Sequence, residues 1–229
     1  MNTLVLLLAA GGTLLLPGCG ADTPPAQRVP ARRLAALPPP AAPNLAAHES
    51  DSASLEDVQR QVLSQLNRDP LVGNVGHDFA HLVAIYERSI QAGAERELRT
   101  GQHPGLLQLA AAVRGRALAL GAAAERLAQD LHGRARNYAP DDFSDPFTRG
   151  VRESLKVSMR AHAAAALPDH DFAALLAGQR QSVAAIARAA LATGRLPAAG
   201  QALARQVLAP RPAETQLLQS VLRKRHPAQ

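Results

Sequence analysis

Residues 77–84 read HDFAHLVA, and residues 170–177 read HDFAALLA. The spacing of 93 holds well beyond this octet. Without a gap, Val58, Val62 and Leu66 map onto Val151, Leu155 and Met159. Further on, Ser89, Ala92, Ala94, Leu98, Thr100, Gly101 and Pro104 map onto Ser182, Ala185, Ala187, Leu191, Thr193, Gly194 and Pro197. From His77 to Pro104 about half the positions are identical, far more than an Ala-rich composition produces by chance. Past the prolines the register slips by one residue, and Leu109, Ala110 and Val113 pair with Leu203, Ala204 and Val207. The globular part is therefore a duplicated unit, residues 51–138 and 139–226.

Each copy reads as three helices. The first starts near Ser54, where Ser-x-x-Asp to Asp57 suits a capping box, and its counterpart starts at Asp145-Pro146 with proline in the first turn. The second takes Asp78 or Asp171 as N-cap and stops at Gly101 or Gly194 as a C′ glycine. The third follows Pro104 or Pro197. In the first copy it runs through Leu106, Leu109, Val113, Leu120, Leu127 and Leu131; in the second, Pro210 and Pro212 split it. One copy alone buries too little surface, so both are expected to share one bundle about a pseudo-twofold axis. The predicted fold is all-α, six to seven helices, with no sheet.

Composition agrees. Of the 229 residues 47% are hydrophobic but only 3% aromatic, with no Trp, so the core must be built of Leu, Val and Ala. Such cores favour close-packed helices, and no strand-length run alternates. The net charge of +6 is carried by scattered arginines, with lysine only at Lys156 and Lys224, and forms no basic stripe with interleaved aromatics. No nucleic-acid partner is expected.

The N-terminus reads MNTLVLLLAAGGTLLLPGCGA. The apolar run is too short for a comfortable membrane span and ends in small residues, as a signal peptide of residues 1–18 does. Its end, Leu16-Pro17-Gly18-Cys19, resembles a bacterial lipobox, which implies lipidation of Cys19 and a membrane partner through that anchor. Gly20 at the next position implies, by the same resemblance, the outer membrane, facing the periplasm. An ordinary signal peptide, giving a secreted protein, or an uncleaved anchor are the other readings. Cys19 is the only cysteine, so no intramolecular disulfide can form. Residues 19–50 carry prolines at 24, 25, 30, 38, 39, 40 and 43 and read as a disordered, extended tether reaching on the order of 90 Å.

Asp-Phe-Ala, a helix, a glycine before a proline and then Leu-Ala-x-x-Val resemble the bacterial domain-of-unknown-function 305 family (DUF305). The resemblance covers both copies and implies a ferritin-like bundle of the cell envelope. That family carries a His-His pair on its second helix and a glutamate on its third, a set suggestive of metal binding. Here the histidine positions fall on Ile85 and Tyr86 and on Gly178 and Gln179, and the glutamate positions on Leu120 and Glu214. Ile and Gly have no donor atoms and Tyr and Gln are poor ligands for the metals imidazole serves, so the family's metal role is not expected here.

Other chemistry is sparse. His77 and His81 stand four apart, and zinc or copper binding through His77, His81 and His170 is the alternative function. With Asp78 as N-cap, however, His77 falls outside the helix. His81 lies opposite the apolar stripe of Phe79, Leu82, Val83, Tyr86, Ile90 and Ala94. No metal or other cofactor is therefore expected. His170, between Asp169 and Asp171, reads as turn and capping chemistry, and His162 as a core histidine. His48, His103, His132 and His226 read as linker, turn or terminal residues. Glu95 with Glu97, and Glu125 with Arg126, read as solvated helix faces. There is no nucleophile motif and no phosphate-binding loop, so the protein is read as non-enzymatic.

One constellation stands out. If the twofold brings the second helices together, counterparts Tyr86 and Gln179 would hydrogen-bond and counterparts Glu87 and Arg180 would pair. A polar cluster would then fill the ancestral metal pocket. The overall reading is a lipid-anchored, non-catalytic envelope protein, a structural or binding module, with an envelope protein as its open partner.

Overall fold

The computed structural model describes residues 55–160 and 167–223, and the described residues form seven helices and no strand. They are α1 (Leu55–Arg68), α2 (Val75–Thr100), α3 (Pro104–Leu131), α4 (Pro146–Arg160), α5 (Pro168–Ala192), α6 (Ala198–Leu208) and α7 (Pro212–Arg223). The all-α expectation holds. Shifting α1 and α2 by 93 positions lands within two residues of the bounds of α4 and α5, so the repeat is also a repeat of elements. The signal peptide, Cys19, the tether, Ser54, His48, His162 and His226 lie outside the described residues.

Proline sets the third-helix boundaries. Pro104 opens α3, where its missing N–H costs nothing. Pro210 and Pro212 divide the second copy into α6 and α7. Arg211, between those prolines, turns back and donates to the carbonyls of Gln206, Val207 and Ala209, satisfying the end of α6. Asp145 caps α4 through the N–H groups of Phe147 and Thr148.

The second-helix caps differ from expectation. Asn74, not Asp78, is the N-cap of α2, its Oδ1 accepting from His77 N at 3.2 Å. Asp78 already serves the preceding loop, so the helix starts earlier and contains His77. In the second copy, α5 starts at Pro168 with Leu167 as an N-cap that offers no side-chain bond, and Asp171 lies inside the first turn. Gly194 takes the left-handed conformation expected past a helix end (φ 68°), whereas Gly101 is extended (φ −68°). Gly101 is required for room instead: a Cβ there would come 2.5 Å from Glu97 Oε1.

α2 and α5 form the antiparallel centre. The end of α2 meets the start of α5, where Asp169 Oδ1 accepts from Gln102 N and His103 N at 2.9 and 3.1 Å. α3 folds back along α2, and α4 packs on α5 so closely that a Cβ on Gly150 would strike the Ala189 side chain. Two apolar clusters result. One gathers Val75, Phe79, Leu82, Val83, Tyr86, Phe147, Val151, Val183, Ile186, Leu203 and Val207. The other gathers Ile90, Ala94, Leu106, Val113, Phe172, Leu176, Leu218 and Val221. Along α2 and α5 the clusters part at residues 86–89 and 179–182, where the side chains turn polar.

Candidate functional site

That polar belt contains all four residues singled out in the sequence. Glu87 is fully buried, and Arg180 Nη1 donates to its Oε1 at 2.9 Å. The pair joins equivalent positions of the two copies. Arg180 Nε also reaches Glu214 Oε1 at 3.4 Å, and Arg116 Nη2 donates to Glu214 Oε2 at 2.6 Å. Four charges from α2, α5, α7 and α3 thus form one chain. Burial pushes the Glu87 carboxyl above its usual range, and the positive charges of Arg180 and Arg211 pull against that shift. Arg211 is itself lowered, first by burial and then by repulsion from Arg180.

The expected Tyr86–Gln179 bond does not form. Tyr86 instead shares a 2.9 Å hydrogen bond with Ser158 of α4, which shares another of 2.9 Å with Ser182. Because Ser182 spends its hydrogen on Ser154 O at 3.0 Å, the donors run from Tyr86 to Ser158 to Ser182 to that carbonyl. Gln179 donates to Ser89. Tyr86 and Gln179 thus take different partners. Each turns to the opposite copy's serine, Gln179 directly and Tyr86 through Ser158.

Several partners were missed in the sequence. Arg116, Arg211 and Ser158 enter the belt from helices whose rotation about α2 and α5 no local pattern specifies. Ser89 and Ser182 did carry a signal, since they match across the repeat.

The two ends of α2 hold further titratable groups. At its start, Asp78 accepts from Val72 N and Gly73 N, both at 3.0 Å, and from Tyr138 Oη at 2.6 Å. His77 Nδ1 stands 2.9 Å from Asp78 Oδ1. Burial and the Asp78 charge both raise the Tyr138 phenol. At the other end, Glu97 is only 1% exposed, correcting its reading as a solvated residue. It continues the spacing of Ile90 and Ala94, so the helical stripe already pointed to its burial. Neither Glu97 oxygen has a conventional donor, and the group facing it is the Asp169 carboxylate. Burial first, then Asp169, pushes Glu97 up to about 8, so a neutral Glu97 can donate to Asp169. Asp169 stays below its usual range: burial opposes its charge, but the His103 and Gln102 N–H groups and Glu97 outweigh it.

His77, His81 and His170 are not one site. α2 has 26 residues and is about 39 Å long. His77 and His81 stand at its start, whereas His170 follows Asp169 at the opposite end. Among the described residues, no three histidine, cysteine or acidic side chains stand close enough together to hold a metal ion. The groove beside α4, lined by Phe143, Arg149, Gly150, Arg152, Glu153 and Lys156, offers one carboxylate among three cations and no acid/base pair. Compared with known proteins, the chain matches no family model, no curated protein and no solved structure.

Proposed function

We propose that the protein is a non-catalytic helical module of the bacterial cell envelope, held to the outer membrane through a lipid on Cys19 and presenting its bundle to a partner in the periplasm. In this reading the bundle is a DUF305-like scaffold whose central metal pocket became an internal ion-pair chain. The observation that carries it is the run Glu87–Arg180–Glu214–Arg116. Glu214 stands where the resembled family would offer a glutamate, Glu87 and Arg180 directly follow the histidine positions Tyr86 and Gln179, and a metal ion there would face Arg116, Arg180 and Arg211. The run also holds no nucleophile beside a base, so it supports an architectural rather than a catalytic role. The anchor rests on Leu16-Pro17-Gly18-Cys19 and the proline-rich residues that follow.

The test is expression of the full chain in a two-membrane bacterium fed a clickable fatty acid. Label and outer-membrane fractionation, both lost in Cys19→Ser, are expected; an unlabelled, soluble wild type would overturn the anchored reading. In the same cells, Glu87→Leu with Arg180→Leu should remain folded and captured by the same crosslinked envelope partner. Loss of capture from a folded double variant would place function in the belt itself.

A further inference from the structure

We infer that the groove along α4 binds a single amphiphile, an apolar tail with an anionic head such as a fatty carboxylate, the head held by Arg149 and Arg152 and the tail laid against Phe143. The inference depends neither on the lipid anchor nor on the family resemblance. It starts from charge. Arg149, Arg152 and Lys156 stand three and four residues apart, so all three share one exposed face of α4. Lys156 is offset by Glu153, 3.0 Å away. Arg149 and Arg152 have no carboxylate partner among the described residues. Two uncompensated guanidinium groups therefore line one groove, together with Phe143, Gly150, Glu153 and Lys156. Its volume of about 510 Å³ falls within the roughly 300–1,000 Å³ of small-molecule sites.

Phe143 makes the ligand amphiphilic. It is 62% exposed, more than any other large apolar side chain among the described residues. The loop that carries it is fixed: Ser144 donates through N and Oγ to Asp142 Oδ1 at 2.8 and 2.7 Å, and Asp145 caps α4. Arg152 Cζ stands 4.2 Å from the centre of the Phe143 ring. A guanidinium stacked on a ring is held in place while its N–H groups stay in its own plane, directed past the ring edge. A carboxylate can take two of them, and its tail can continue over the phenyl ring and the methylene stems of the cations.

The repeat isolates this chemistry in one copy. Subtracting 93 from Phe143, Arg149, Arg152 and Lys156 gives Ser50, Glu56, Gln59 and Leu63. The first copy thus has neither the aromatic ring nor a single one of the three cations at these positions, although the two copies still share the apolar side of the helix. The occupant is one molecule rather than a bilayer. Asp141 and Asp142, both exposed beside Phe143, would repel an anionic membrane surface, whereas a single head reaches the two arginines past them.

The experiment titrates sodium decanoate into the full, isotope-labelled chain carrying Cys19→Ser and follows its backbone amide NMR signals. Saturable shifts of the Phe143, Gly150, Arg152 and Glu153 amides are expected, with a dissociation constant tighter than about 1 mM. Phe143→Ala and Arg152→Ala should each weaken binding at least about fivefold while helicity by circular dichroism is unchanged. Arg205→Ala, which removes an exposed charge from α6, should bind as the parent does. Acetate, a head without a tail, and decyltrimethylammonium, the same tail with the opposite charge, should leave those amides unshifted. No saturable shift at these residues, or binding indifferent to Arg152→Ala, would overturn the site, as would decyltrimethylammonium binding like decanoate. Phosphatidylglycerol vesicles separate the free ligand from the bilayer. Parent and Arg152→Ala should sediment with them equally; loss confined to the variant would make this face a membrane contact and overturn the single-ligand site.

Discussion

Asp78 and Glu97 stand near the two ends of the same helix, and each is 1% exposed. Asp78 faces four donors; Glu97 faces another carboxylate. Burial is equal, so partners decide the outcome: one carboxylate holds a loop in place while the other keeps its proton. The difference has a sequence origin. A loop precedes α2 and folds back over its first turn, bringing backbone N–H groups to Asp78. Glu97 lies one turn before a tight exit, where the Asp169 carboxylate supplied by α5 is already satisfied by the α2–α3 turn.

The largest effect expected is that of Asp78→Ala, which orphans two N–H groups, a phenol and an imidazole at once. It should lower stability by more than about 3 kcal/mol in urea unfolding. A loss under about 1 kcal/mol would erase the contrast between the two ends.

Next in size, and opposite in sign, is Glu97→Gln. The folded state holds the Glu97 proton more tightly than the unfolded chain does. That contribution is complete below about pH 4.5 and is lost as pH rises through about 8. The variant should therefore melt with the wild type in acid, gain over it across that window and keep a constant advantage above. Parallel melting curves across pH would show that Glu97 is ionised in the fold.

Gly101→Ala should cost about 1–3 kcal/mol, because its methyl group enters the space of the Glu97 carboxyl. In a Glu97→Ala background only the part due to the carboxyl should vanish, since the methyl group would still stand 2.7 Å from the Glu97 backbone carbonyl; a double-mutant cycle would measure that part. Smallest is Arg88→Ala, which removes an exposed 2.9 Å pair with Glu125. A change within about 0.5 kcal/mol is expected, and a larger one would mean that surface charge rivals the buried ends.

Much of the architecture was legible because periodicity and proline act locally. Pro104, Pro146, Pro210 and Pro212 mark boundaries wherever they occur, and the repeat of 93 tied the copies together. The α2 N-cap was not legible, because Asn74 and Asp78 are both competent caps and only the folded loop assigns them different work. The Glu87–Arg180 contact could be read from the repeat, since the two residues hold equivalent positions on the second helix of each copy. Tyr86, one residue away, could not: its acceptor belongs to α4, and the rotation of α4 is set by how Gly150 lets it approach α5. His132 looked terminal for a similar reason: only the length of α3 carries its ring back to 5.8 Å from that of His77.

The belt between the two apolar clusters has a consequence for slippage. Helices rich in Ala and Leu present nearly the same face at every turn, so α2 could slide along α5 by one turn, about 5.4 Å, and still find a greasy surface. A slide of that size would carry Glu87 away from Arg180 and drive each into an apolar cluster, where an unpaired charge is strongly disfavoured. The belt thus works as a notch in an otherwise smooth rail, admitting a single alignment of the two copies.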